Sequence, residues 1–539
     1  MSNASERPAG TSNPLQYAPR WARDPNQPRE PAASATSSAA ARAEAEGGDP
    51  QYERPYPLGE LRSPRVHAVP PPPDEPRRPM TMMRETALLA LVALVSALVV
   101  AYVMYPRKSD TDAGNAAAPP VLASTQARPV MAAATPAPVA IEEPASPAAT
   151  TTMAAVTPTQ RGPMPAVRGV TDSEIRLGIA APFSGSAREL GRQMKLGLDA
   201  AFGAVNAAGG IHGRQIKLIA ADDGYEPGRT GNVMKQLTEK EQVFGIVGNV
   251  GTPTAVIALP YALEQKMLFF GAFTGAGLLR RDPPDRYVFN YRASYAEETD
   301  ATVRYLVKVR RIRPEQIAVF AQQDSYGDAG FAGVAKAIRA LKGTDAGNIL
   351  RLGYQRNTVD VTAAVEQLRL SKVPIKAVVM VPTYRAAAKF IEKTKDLFPG
   401  LIYTNVSFVG SSALAEELRL LGPRYAEGVI VTQVVPAIEG YSSFVLEYKS
   451  ALAKYSAGEA PDYVSLEGYI TGRLLAEGLL RAGPQLDTEK LVDTLENLRD
   501  FDMGLGTPLS FGRGEHQSSH KVWGTALDEA GRYQAIEMQ

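Results

Sequence analysis

From Glu174 to Val435 the chain alternates short apolar runs with longer amphipathic ones. EIRLGIA at 174–180, QIKLIA at 215–220, VFGIV at 243–247 and MLFF at 267–270 read as strands. Leu190, Met194, Leu198, Phe202 and Val205 share one face of a helix over 189–206, which Gly209 and Gly210 stop. Further helices are expected over 229–240 and 253–264. A second block repeats the rhythm, with helices over 295–310, 329–341, 359–370, 384–394 and 411–419. Its strands fall over 316–321, 349–352, 377–381, 401–408 and 428–435. Such strands, separated by helices, build parallel sheets covered on both faces. The break near Asn290 to Tyr295 divides the pattern into two α/β lobes.

What precedes this part is of another kind. Residues 1–86 are rich in Pro, Ala, Ser, Arg and Glu and hold too little apolar surface to offset chain entropy, so a disordered tail is expected. ALLALVALVSALVVAYVMY at 87–105 carries no charge and suits a single transmembrane helix, a signal anchor in the lipid bilayer. Arg62, Arg65, Arg77, Arg78 and Arg84 precede it, against Arg107 and Lys108 after it. That bias puts the N-terminus on the cytoplasmic side and the rest in the periplasm. A cleaved leader ending near Ala118 is the less favoured alternative. Residues 106–170, again Ala- and Pro-rich, read as a flexible tether about 40 Å in mean reach.

The charge balance excludes some partners. With 58 basic and 57 acidic residues there is no electrostatic basis for nucleic acid binding. Zero cysteines and four histidines argue against disulfides, thiol nucleophiles and metal sites, and no cofactor is expected. No GxGxxG or GxxxxGK opens a helix, and no serine sits in a GxSxG elbow. Asp222 and Asp223 end a strand and read as loop-stabilising; His516 and His520 fall in a Gly-containing loop rather than on one helix face. An enzyme is not expected.

In open parallel sheets, ligands sit at the carboxyl ends of strands near helix N-termini. The ends here are Pro182 to Gly185, Asn249 to Thr254, Gly271 to Gly275, Gln322 to Gly327, Pro382 to Tyr384 and Ser407. Hydroxyls beside a helix start receive a carboxylate well, and they also serve as ordinary caps.

Five stretches in order carry a resemblance: 175–227, 244–260 (FGIVGNVGTPTAVIALP), 322–334 (QQDSYGDAGFAGV), 426–436 and 506–517. Residues 174–539 resemble the type I periplasmic binding proteins, in the leucine/isoleucine/valine-binding branch of ABC transporter solute-binding proteins. The resemblance implies a Venus-flytrap of two doubly wound lobes joined by three crossings, near 291–295, 427–436 and 504–510. Lobe 1 would comprise about 171–292 and 437–505, and lobe 2 about 295–428 and 506–539.

It further implies that Thr252 and Thr274 hold a ligand carboxylate and that the Ala272 carbonyl faces an amino group. Tyr326 and Tyr384 would line the second lobe, with Phe183 and Ser184 over the ligand side chain. The acid expected to meet a ligand ammonium falls at Ser407, and no Asp or Glu lies between Asp396 and Glu416. Phe273 reshapes the same site, and Asp324 is the nearest acid elsewhere. A non-amino carboxylate, an amide or an aromatic acid therefore competes with a branched-chain amino acid. The implied partners are that small solute and ABC permease subunits; a sensing receptor on the same fold is the alternative.

Overall fold

The computed structural model describes residues 166–343 and 346–538. The tail, the apolar run and nearly all of the tether lie outside the described residues. No helix among those described is long and apolar enough to cross a membrane.

Lobe 1 holds β1 (Glu174–Ala181), α1 (Arg188–Ala207), β2 (Gln215–Asp222), α2 (Pro227–Lys235), β3 (Gly245–Val247), α3 (Thr252–Glu264), β4 (Leu268–Phe270) and β5 (Val288–Phe289). Its sheet runs β2-β1-β3-β4-β5, all parallel. Lobe 2 takes α4 (Tyr295–Arg304), β6 (Ile317–Gln322), α5 (Ser325–Lys342), β7 (Arg351–Tyr354), α6 (Thr362–Arg369), β8 (Ala377–Val381), α7 (Tyr384–Thr394), β9 (Ile402–Asn405), α8 (Ser411–Leu421) and β10 (Ile430–Gln433). The chain then returns to lobe 1 as α9 (Ser443–Tyr455), α10 (Tyr463–Ala482) and α11 (Thr488–Glu496). It ends in lobe 2 as β11 (Trp523–Leu527) and β12 (Tyr533–Ile536). The second sheet, β12-β11-β10-β9-β8-β6-β7, is parallel except for its last two strands, which pair antiparallel. Both lobes are the expected doubly wound kind.

Each sheet centre is buried on both faces, which is why its strands read as continuous apolar runs. Ile175, Leu177, Ile179, Ala180 and Ala181 of β1, and all five residues of β8, lie at or near zero exposure. The α1 face anticipated from Leu190, Met194, Leu198, Phe202 and Val205 is the buried one.

The crossings lie side by side. Asn290 N donates to His516 O at 2.7 Å, Ser518 N to Asn290 O at 2.9 Å and Ser519 N to Tyr291 O at 3.0 Å. The Tyr291 hydroxyl ties the second crossing by donating to Val434 O at 2.9 Å. The third crossing therefore passes at 517–519, later than the 504–510 expected. Residues 506–516 stay with lobe 1, because Leu509 and Phe511 are buried there and Phe511 meets Phe289 edge-on at 5.2 Å. The Gly- and Pro-containing turn over 504–508 looks like a crossing in sequence but is a loop of the first lobe.

Glycines let α1 and α10 approach closely: a Cβ on Gly197 would strike the Ser465 carbonyl, and one on Gly468 the Met194 carbonyl. Backbone cannot yield there as a flexible side chain could. Gly197→Ala is expected to cost about 1–3 kcal/mol as an overpacked contact, read as a lower urea midpoint.

Candidate functional site

The strand ends of both sheets converge where the lobes face one another. After β3, Gly251 (φ 108°) turns the chain into α3. A Cβ here would enter the Tyr225 ring, so glycine fits on both counts. Thr252 opens that helix, and its Oγ1 lies 2.7 Å from Thr274 Oγ1 in the loop after β4. The Tyr295 hydroxyl turns toward the same pair and lacks a well-formed hydrogen bond. Burial pushes this phenol up to about 12. Three buried hydroxyls thus meet at the α3 N-terminus.

From lobe 2, the turn after β9 inserts Phe408 between the lobes. Its ring lies 5.0 Å from Phe273, 4.6 Å from Tyr326, 6.2 Å from Tyr225 and 6.4 Å from Tyr295. Such ring pairs contribute about 0.5–1.5 kcal/mol each beyond their burial. Phe273 and Tyr225 belong to lobe 1 and Phe408 to lobe 2, so the cleft is closed on its own aromatic side chains. Polar contacts reinforce closure. Gln322 Nε2 reaches the Tyr225 hydroxyl at 3.3 Å. At the mouth, Arg356 pairs with Glu226 at 2.9 Å and Asn357 Nδ2 donates to Glu226 at 2.6 Å and to Gly224 O at 3.1 Å. Ser186 Oγ donates to Asn357 Oδ1 at 3.1 Å.

At the hinge side lies a charged cluster that sequence reasoning missed. Arg292, on the first crossing, is fully buried over the Phe273 ring at 4.9 Å. Its Nη2 donates to Glu298 Oε1 at 3.1 Å and touches Ser407 Oγ; Nη1 lies 3.5 Å from Glu467 of α10. A capping box at Ser294 and Glu297 starts α4 so that Glu298 points inward. Burial opposes the Arg292 charge, but Glu467 and Glu298 outweigh it and its pKa is raised. Burial likewise drives Glu467 up to about 7, with Arg292 opposing. Arg280 completes the hinge: it donates to the carbonyls of Thr274, Ala276 and Arg292 and to Gln517, holding the Thr274 loop against two crossings.

Of the residues anticipated, Thr252 and Thr274 are together, and Phe273, Tyr326 and Ser407 border the same closed cleft. The Tyr326 hydroxyl donates to Pro382 O at 3.2 Å, and the Ala272 carbonyl accepts from Thr274 N at 2.8 Å. Tyr384 is buried near Gly410 with no well-formed partner for its hydroxyl. Ser184 is exposed and donates to Asp222 at 2.6 Å; Phe183 is half-buried, its N–H also on Asp222. Asp222 is thus loop-stabilising, as its place suggested.

The reading at Ser407 needs correction. An acid does stand there, but it arrives from 109 residues upstream: Glu298 accepts from Ser407 N at 2.7 Å and Ser407 Oγ at 3.0 Å. Asp324 instead caps α5 and pairs with Arg356 at 3.0 Å. The histidines are also occupied structurally, His516 stacked on Phe289 at 4.0 Å and His520 paired with Glu297 at 2.7 Å. Among the described residues no group of three or more Asp, Glu or His side chains could hold a metal ion.

Comparison with known proteins now decides the family. Residues 174–532 match the family model described as periplasmic binding protein. The chain belongs to the periplasmic binding protein family. An amino acid binding protein of Pseudomonas aeruginosa is 26% identical over 332 residues, covering 60% of this chain and 83% of that relative. Among solved structures, a possible leucine/isoleucine/valine-binding protein from Rhodopirellula baltica is 40% identical, covers 69% of this chain and 98% of its own, and superposes with a TM-score of 0.65. A substrate-binding periplasmic protein from Ralstonia solanacearum is 25% identical at a TM-score of 0.60, with 67% and 100% covered. As a periplasmic binding protein, the chain carries a periplasmic-type solute-binding domain that binds rather than catalyses.

Glu467 provides a pH signature. Its carboxyl holds its proton more tightly when folded than when unfolded, so its contribution is complete below about pH 4.5. It fades as pH rises toward about 7. Glu297, held down at about 2 by His520 and Ser294 against its burial, loses its contribution only on the acid side of that window. Glu467→Gln is therefore expected to gain stability relative to the native chain between pH 4.5 and 7, by up to about 1.4 kcal/mol per unit crossed. Urea midpoints at pH 5 and pH 7 check it.

Proposed function

We propose that this protein is a membrane-anchored extracytoplasmic solute-binding protein that captures a small carboxylate-bearing solute and delivers it to an ABC-type transporter. The observation that carries the ligand class is the meeting of Thr252, Thr274 and Tyr295 hydroxyls at the start of α3. Hydroxyl donors beside a helix N-terminus favour a carboxylate, and lobe closure removes it from water. The leucine/isoleucine/valine-binding and amino-acid-binding names of the relatives support the same class. Phe273, Tyr326 and Tyr384 supply rings for the solute's apolar body. Permease subunits are the partner such a flytrap serves.

A thermal-shift screen of the full-length chain tests the ligand class. Amino acids, other carboxylates and amides should raise the midpoint, unchanged by EDTA. Hits confined to neutral sugars or nucleosides overturn it.

The anchor over 87–105, with its preceding arginines, supports an N-in, C-out arrangement. Protease added to spheroplasts should remove the binding domain and spare an N-terminal tag. A mature chain starting at Pro119 or beyond would replace the anchor by a cleaved leader.

A further inference from the structure

The closed cleft contains more acids than the sequence suggested, yet they are already spoken for. A carboxylate has about four acceptor positions. Glu298 accepts from Arg292 Nη2 and Ser407 Oγ on one oxygen, and from Ser407 N and Thr432 Oγ1 (2.5 Å) on the other. All four are filled by the protein. Of the other acids around the cleft, Asp324, Glu226 and Asp223 have donors, while Glu467 faces Arg292 Nη1 at 3.5 Å without a formed hydrogen bond. Asp324 takes Tyr326 N, Gln322 and Arg356; Glu226 takes Arg356 and Asn357; Asp223 takes Tyr225 N and Thr230. Asn249 and Asn405, at strand ends, keep an unpartnered amide oxygen each, which offers an ammonium a hydrogen bond but no charge.

Around the cleft, Arg356 at the mouth leaves its Nε without a partner, but the fully buried arginine with unfilled donors is Arg292. Arg292 is fully buried, its Nε has no partner, and its Nη1 faces Glu467 without a formed hydrogen bond. A buried N–H left without an acceptor is costly, and a guanidinium's planar fork matches a carboxylate better than any other acceptor. Arg292 also stands where the lobes meet, against Phe273 of lobe 1 and Ser407 of lobe 2.

We infer that Arg292 reads the solute and that the solute is an anion with no ammonium beside its carboxylate. The inference rests on the carboxylate reading above and narrows it. An anion gains the hydroxyls of Thr252, Thr274 and Tyr295 together with the Arg292 donors. A zwitterion gains the same contacts but buries an ammonium beside a guanidinium, where Glu298 has no acceptor position left and Glu467 is already turned toward Arg292. Arg292 is thus the residue that separates a desamino or hydroxy acid from the corresponding amino acid.

Calorimetry on the full-length chain with matched pairs is the test: leucine against 4-methylpentanoate, and phenylalanine against 3-phenylpropanoate. The desamino acid of a pair should bind about tenfold tighter or more. Arg292→Gln should weaken the desamino acid by about tenfold and narrow the preference, because Glu298 then has an oxygen for the ammonium. Should that variant fail to fold, Glu298→Gln serves instead: it leaves Arg292 less compensated and should tighten the desamino acid several-fold. An amino acid that binds about tenfold tighter than its desamino partner, or one whose binding Glu298→Gln abolishes, overturns the inference and leaves the carboxylate reading standing. Silence from both pairs removes both.

Discussion

A single buried guanidinium organises the hinge end of this protein. Arg292 lies on the first crossing, so its position follows the relation of the lobes. From there it touches Glu298 and Ser407 in lobe 2 and faces Glu467 in lobe 1. A buried ion cluster of this kind contributes little net stability, since desolvation consumes most of the attraction. Its consequence is conformational: breaking one partner leaves an uncompensated charge, so the three segments keep one arrangement. Arg280 extends that constraint by fixing the Thr274 loop to the backbone of Arg292 itself. The Thr274 loop and the charged cluster are therefore positioned by the same two arginines.

The fold was legible because its signals are local. The apolar run of β1 and the five-residue face of α1 each lie within one element, and periodicity alone identifies them. The antiparallel pair β11 and β12 and the exact path of the third crossing were not legible, since pairing partners lie far off in sequence. The site divides in the same way. Strand-end loops carrying Thr252, Thr274, Phe273 and Ser407 could be found from where strands stop. Glu298 could not, because it reaches Ser407 across 109 residues and is aimed by the Ser294 cap rather than by any strand end. A charged residue inside the Asn290 to Tyr295 break was the available signal: an arginine on a lobe crossing has few ways to remain solvated once the lobes meet. Phe408 escaped notice for a plainer reason, since a phenylalanine after a buried strand reads as core.

Closure is distributed between the two ends of the cleft, and the two ends differ in kind. The mouth is held by half-exposed polar groups, Arg356 with Glu226 and Asn357 with Gly224. Water and salt compete for such contacts, and each contributes about 1 kcal/mol or less. The interior is held by Phe408 among four rings and by fully buried charge, where nothing competes. Opening from the mouth is therefore the easier motion, with the hinge cluster staying together while the rings part.

That asymmetry bears on how a solute is held. A solute that came between Phe408 and Phe273 would replace the stacking these rings make with each other, so its rings or alkyl groups would offset a contact the protein already has. Apolar bulk then adds affinity only beyond what Phe408 supplies when the cleft is closed alone. At Arg292, although Glu298, Ser407 and Glu467 already meet the guanidinium, Nε is without a partner in the closed form, so a polar group reaching it adds a contact instead of replacing one. Discrimination should accordingly rest on the charge pattern of the solute more than on the size of its side chain, since a ligand is selected by what it adds to the closed state and not by what it replaces.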